Sequence, residues 1–417
     1  MNLRTKLARA ALFGVACAFG ALGCERTEAY EGVPTAAPAL GPVGPKSVII
    51  DGFGRPTTDG AVALGNLDAT ISAYRSFLVT HPAEAGMRST LVGLLLSRSQ
   101  FSGTFSDLDE ALELATVAVK EEPEEPKAHQ LLASALGATH RFDESRAQLE
   151  TAAALGADVT LPLATTDLAI GKDLGSALEN AEQAVAQSRT FGSLTALAGI
   201  EAARGRFERA DALFLEAVGS YHDVSPFPVA WVAFQRGLMW SELAARRDLG
   251  RPLYAEAVRR LPGYVVANVH LAELEAASGD TEAAIARLGP LAASTADPEP
   301  DSRLAQFLAP TDPAGAALAS AKAAAGYTAL LAKHPLAFAD HAAEYYLGAG
   351  GDPKRGLGLA LENLEHRKND RAYVLAIHAA MANERTDLAC ELSAEAGGAR
   401  ASIPLKEVQL QLSPKCK

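Results

Sequence analysis

"GRFERADALFLEAV", residues 205–218, places a glycine, two phenylalanines and three alanines at spacings that decide how the whole chain reads. Gly205 suits the left-handed turn between two helices, and Phe207 then covers the corner of the hairpin. Ala210 is small enough to let two helices approach, and Phe214 and Ala217 continue the same face at steps of four and three. The stretch predicts one helical hairpin packed on another. Weaker copies of the layout occur in "GNLDATISAYRSFLVTHP" (65–82), "HRFDESRAQLETAAA" (140–154), "GDTEAAIARLGPL" (279–291) and "GDPKRGLGLALENL" (351–364).

Proline provides an independent ruler. Tyr74 and Pro82, Ala115 and Pro123, Tyr254 and Pro262, and Tyr327 and Pro335 are each eight residues apart, with proline where a second helix must stop. Aligning the helix-crossing position throughout gives Thr70, Ala111, Ser145, Ala177, Ala210, Gly250, Ala284, Ala323, Gly356 and Leu388. Their steps run from 32 to 41 and cluster near 34. The long steps contain "SRSQFSGTFSD" (97–107), "SELAARRDLGR" (241–251) and "STADPEPDSRLAQFLAPTDP" (294–313), which read as irregular insertions. Leu388 is too large for a crossing position, so the last unit reads as a cap or as a slip of register.

This layout resembles the tetratricopeptide (TPR) repeat, whose two antiparallel helices carry small residues where they cross and larger ones between. The resemblance covers roughly residues 57–396 and implies an all-α, right-handed α-solenoid of about ten degenerate TPR-like hairpins. Such units bury their apolar faces only against neighbours, and their superhelix leaves a long inner groove that is the family's usual peptide or protein binding surface. The expected boundaries are a signal peptide at 1–23, a lipidated cysteine and flexible tether at 24–56, a first repeat block at 57–293, an insertion at 294–313, a second block at 314–396 and a tail at 397–417.

Composition agrees with helix and excludes one class of partner. Hydrophobic residues make up 48% of the 417 and aromatics only 6%, so the apolar mass is largely alanine and leucine, both strong helix formers. The net charge is −12, and removal of the first 23 residues, which hold Arg4, Lys6, Arg9 and no acid, makes it −15. A chain with that balance and no basic face repels nucleic acid.

At the amino terminus, "MNLRTKLAR" is basic, "AALFGVACAFGALG" is a short apolar core, and Cys24 follows the small Gly23, a pattern for export. The apolar run is shorter than the roughly 20 residues needed to span a bilayer. "ALGC" resembles the lipobox of bacterial lipoproteins, although Ala21 stands where that family has leucine and Leu22 where it has a small residue. The resemblance implies acylation of Cys24 and, with Glu25 following, an outer-membrane anchor facing the periplasm. Ordinary secretion with Cys24 as an incidental thiol, or an uncleaved anchor, are the alternatives. The next residues, "ERTEAYEGVPTAAPALGPVGPKSVIIDGFGRP", are rich in proline, glycine and alanine and read as a tether.

Two cysteines remain, Cys390 and Cys416, 26 residues apart in a chain bound for an oxidising compartment. A bridge between them would pin the tail to the last helix; the other reading is a buried, inert Cys390 and a free tail thiol. The chain has no HExxH, GxxxxGK or GxSxG motif and no paired-cysteine metal frame. No enzyme, metal or cofactor is expected. His341 and Glu344 in "HAAEYY" have a spacing compatible with two metal ligands, but with no third in view they read as helix packing. In "YHDVSPFPVAWVAFQRGLMW" (221–240), Phe227, Trp231, Phe234 and Leu238 recur at helical spacing as core. Trp240, nine residues beyond Trp231 at 100° each, falls on the opposite side of that helix, one turn from Arg236. Packing on an adjacent repeat is its plainer use; the pair also has the composition of an interaction hot spot. Tyr345 and Tyr346 diverge by about 100° on a helix, which would let one of them face the groove. The sequence thus predicts a non-catalytic scaffold or adaptor, membrane-tethered, for an unidentified envelope protein or peptide. An accessory lipoprotein holding a glycan or peptide for transport or wall assembly is the second expectation.

Overall fold

The computed structural model describes residues 56–171, 174–397 and 402–416. The expected signal, Cys24 and the tether up to residue 55 lie outside them. The described residues form twenty α-helices and one π-turn, and no strand. A single helix, α1 (Gly60–Thr80), is followed by nine antiparallel hairpins. They are α2 (Ala85–Ser102) with α3 (Ser106–Glu121), α4 (Pro126–Ala138) with α5 (Phe142–Ala154), α6 (Thr160–Ile170) with α7 (Leu174–Gln187), and α8 (Phe191–Ala203) with α9 (Phe207–Ser220). Next come α10 (Pro226–Leu238) with α11 (Arg247–Arg260), α12 (Val265–Ala277) with α13 (Thr281–Ser294), and α14 (Glu299–Leu308) with α15 (Pro313–Lys333). Last are α16 (Pro335–Leu347) with α17 (Pro353–His366) and α18 (Asp370–Ala382) with α19 (Thr386–Ala396), and α20 (Ile403–Leu412) closes the stack.

The ten crossing residues lie on the ten odd-numbered helices, α1 to α19. Ala111, Ala177, Ala210, Ala284 and Ala323 are fully buried, and Ser145 nearly so. Gly250 and Gly356 do the same work without a side chain: a Cβ on either would come within 2.7 Å of the first helix of its own hairpin or the turn that follows it. At the last unit the small buried residue is Ala389, one place beyond Leu388, so the register slips there. In the opening hairpin Gly205 has φ +75°, Ala210, Phe214 and Ala217 are buried, and Phe207 packs its ring 6.2 Å from that of Trp240. Aspartates start several of these helices: Asp59, Asp280, Asp312 and Asp352 each accept a hydrogen bond from a backbone N–H of the first turn, worth about 1 kcal/mol apiece.

Two expectations about organisation change. The stretch 294–313 is no loop insertion, because it holds α14, seven of whose ten residues are buried and which pairs with α15 as an ordinary hairpin. Its prolines sit at the helix start and just past its end, where they are tolerated. The tail at 397–417 carries α20, and Cys390 on α19 is disulfide-bonded to Cys416 beyond it.

The inner groove is not open in the way the resemblance implies. The superhelix turns tightly enough that the first three hairpins touch hairpins about six places on. Thr295 Oγ1 donates to Ser102 O at 2.9 Å, Phe105 meets Phe338 edge-on, and His140 Nδ1 donates to Leu336 O at 3.1 Å. Further along, Asn369 Nδ2 donates to Ala169 O, and α20 rests on the π-turn at Met239–Leu243. Gly171, with φ +78°, allows one of these close approaches: a Cβ there would lie 2.7 Å from the backbone of Lys368. Aromatic rings fill much of the axis, Phe101 packing on Phe227 at 5.0 Å and on Tyr264 at 4.8 Å.

Candidate functional site

The even-numbered helices line the axis and carry what polarity the interior has. Glu273 on α12, Glu299 and Arg303 on α14, Asp340, His341 and Glu344 on α16, Arg367 before α18 and Arg371 on it form a continuous buried chain of ion pairs. Arg303 lies 2.6 Å from Glu273 and 2.9 Å from Glu344; Arg371 lies 3.0 Å from Glu344 and 2.6 Å from Asp340; Arg367 reaches Asp340 at 3.2 Å. His341 Nδ1 is 3.4 Å from Glu299. Burial by itself would discharge His341, but the charges of Asp340 and Glu299 outweigh it and raise the imidazole to about 9. Burial likewise would raise Asp340, yet His341, Arg371 and Arg367 hold it well below the usual carboxylate range.

At one end of this chain lies a partly open cavity of about 100 Å³, walled by both superhelical turns. The first turn contributes Leu96, Gln100, Phe105, Leu108 and His140; the central repeats contribute Phe234 and Tyr264; the second turn contributes Asp297, Glu299, Tyr327, Phe338 and His341. His140 sits at φ +57° in the hairpin corner where the opening stretch has Gly205. Its burial, with Arg367 nearby, lowers the imidazole to about 3, so the ring is neutral. Asp297 is 7% exposed and accepts one hydrogen bond, from Glu299 N–H at 2.8 Å. Burial, reinforced by the neighbouring Glu299 charge, pushes its carboxyl up to about 7.

The residues singled out in the sequence fall elsewhere. Arg236 is fully buried and grips Asp211 with two hydrogen bonds, at 2.7 and 2.9 Å. Trp240 is also buried and donates Nε1–H to Asp211 at 3.0 Å. Trp240 thus packs on the preceding hairpin, through Asp211 and Phe207, one turn from Arg236, which is the plainer of the two uses expected for it. Tyr345 and Tyr346 are both buried, because α16 is covered on nearly every side. Tyr345 donates to Ser320 O at 2.7 Å, and Arg355 lies over the Tyr346 ring at 4.2 Å. None of the four faces a groove. His341 and Glu344 belong to the ion-pair chain, and the described residues contain no cluster that could hold a metal ion. Sequence reasoning missed Asp297, Glu299 and His140. The acid pair sat in "DPEP" inside the supposed insertion, and the legible signal for His140 was a bulky residue in a glycine's place.

No family model matches the chain, and no curated protein does. Solved structures are similar in architecture. The human IFIT1 dimer with PPP-AAAA matches at 15% identity and a TM-score of 0.47, covering 75% of this chain and 72% of that one. Yeast Tom70 matches at 13% identity and a TM-score of 0.33, covering 89% and 94%. A tetratricopeptide repeat protein from Parabacteroides merdae matches at 14% identity and a TM-score of 0.35, covering 61% and 97%. This chain's own hairpins, their period near 34 and their small crossing residues make the fold TPR-like.

Proposed function

We propose that the protein is a non-catalytic scaffold of the bacterial cell envelope, exported, acylated at Cys24 and held at the outer membrane facing the periplasm, where it binds another envelope protein. The observation that carries this reading is the stack of nine TPR-like hairpins, whose odd-numbered helices each turn a face to solvent. Because the axis is filled, the partner surface is this outer face rather than an inner groove. An anchor would raise the local concentration of that face at the membrane, so modest affinity suffices. No helix of the described residues is long and apolar enough to cross a membrane; in this reading the lipid supplies the membrane association. Replacing Cys24 with serine is expected to release the protein from membranes on fractionation. Tight association of the serine variant would sink the anchor. Proximity labelling in the native host should return a reproducible envelope protein; labelling no different from that of an unrelated periplasmic protein would sink the scaffold reading.

The cavity favours the second reading, an accessory lipoprotein that holds a small envelope ligand. It is too small for a folded partner, and its acids make it unsuited to polyphosphates.

A further inference from the structure

The acids of the interior chain are all paired. Glu273, Glu299, Asp340 and Glu344 each lie within ion-pair distance of a cation, drawn from His270, Arg303, His341, Arg367 and Arg371. Asp297 has no cation within ion-pair distance. A carboxylate removed from water without a counter-charge is costly, and proteins rarely keep one that serves only packing. It lines the cavity. His140, also on the wall, spends its Nδ1–H on Leu336 O, so in the neutral ring Nε2 is left with its lone pair. Asp297 and His140 Nε2 thus present acceptors to the cavity, while the nearest cationic donors, Arg303 and His341, are engaged by acids. Around these acceptors stand Phe105, Phe234, Tyr264 and Phe338, whose ring faces attract cations.

We propose that the cavity binds a compact organic ammonium ligand, a primary or methylated amine on a small apolar body, with the ammonium against the Asp297 carboxylate and His140 Nε2 and the body among the aromatic rings. The walls come from both superhelical turns, so a bound ligand ties the turns together and stabilises the closed form through its binding free energy. A methylated amine keeps the cation–ring attraction with fewer donors, and a primary amine uses both acceptors.

The test is calorimetric titration of the full-length chain with three probes of equal shape: 2-phenylethylamine, 2-phenylethanol and phenylacetate. At pH 8 the amine is expected to bind and to raise the melting temperature, with the alcohol at least about tenfold weaker and the carboxylate not binding. Asp297→Asn, nearly isosteric, should weaken the amine about tenfold or more with its circular dichroism unchanged. Wild-type affinity for the amine should fall as the pH is lowered from 8 to 5.5, while that for the alcohol stays level. No amine binding at about 10 mM, undiminished binding to Asp297→Asn, or alcohol binding as tight as the amine's would each overturn the proposal. An amine affinity that stays level across the pH series would overturn it too, and that measurement needs only the wild type.

Discussion

Within one hairpin, α12 and α13 follow two different rules. Nine of the thirteen residues of α12 are buried, including Asn268, His270 and Glu275, whereas only Ala284 and Leu288 of the fourteen in α13 are. The same contrast separates α8 from α9 and α10 from α11. An outer helix has one neighbour face and one solvent face, so its sequence is amphipathic and its partner is the next helix in the chain. An inner helix is touched by its own hairpin, by adjacent hairpins and by the turn six units away. Its polar residues must therefore find partners inside, some as ion pairs and some, like Asn268, on backbone carbonyls.

The largest effect expected from breaking this difference lies on the inner row. Asp340 is 1% exposed and answers Arg367, Arg371 and His341 together. Asp340→Ala would take a shared counter-charge from three buried cations, of which Arg371 and His341 keep Glu344 and Glu299, at a cost of about 4 kcal/mol, read as a lower urea midpoint. A loss under about 1 kcal/mol would mean that the inner row tolerates unpaired charge as the surface does.

Ala210→Trp is the outer-row counterpart. It forces bulk into a crossing where the alanine has no exposure, and the expected loss is about 3 kcal/mol. A melting temperature equal to the wild type's would remove Ala210 from the helix crossing and, with it, the alignment of the repeats.

What could be seen in the sequence divides along the same line. The crossing positions of the outer row were legible because one buried face every three to four residues, with glycine and proline at fixed offsets, is a local signal. Ala111, Ala210 and Ala284 each declared themselves within their own helix. The inner row held no such period: "FGSLTALAGIEAA" of α8 is apolar around most of its circumference, and nothing in it says which distant hairpin covers it. Closure by the sixth neighbour is a long-range event, so the cavity was illegible, as was Asp297 within a stretch whose prolines suggested a loop. Trp240, by contrast, was legible as packing on an adjacent repeat, because its place one turn from Arg236 is a local matter of helical spacing.

Two glycines isolate closure from folding. Gly171 and Gly156 both have positive φ, at +78° and +95°, so alanine at either costs about 1 kcal/mol of backbone strain. Around Gly156 there is open space, while a Cβ on Gly171 would meet the backbone of Lys368 and Asn369 across the turn. Gly171→Ala is expected to lose about 2 kcal/mol in total and to enlarge the radius of gyration in small-angle scattering. Gly156→Ala should show the strain alone, with no expansion. Equal behaviour of the two would mean that the turns do not hold together in solution.

An effect of the opposite sign tests why the inner row keeps an unpaired acid. The folded-state carboxyl of Asp297 is raised to about 7 from an ordinary 3.8, so its contribution to stability is present at low pH and is lost as the pH climbs from about 4 through 7. Above that range the native state carries an ionised, uncompensated carboxylate. Asp297→Asn removes the penalty and keeps an acceptor oxygen for the Glu299 N–H, so it is expected to be more stable than the wild type by about 2 kcal/mol at pH 8 and nearly equal to it at pH 4. Paired thermal melts across that range decide the matter. A variant that is less stable at pH 8 would mean that Asp297 holds the fold together through its charge. A variant that gains with rising pH would mean the residue is retained at the expense of stability, as groups kept for a ligand are.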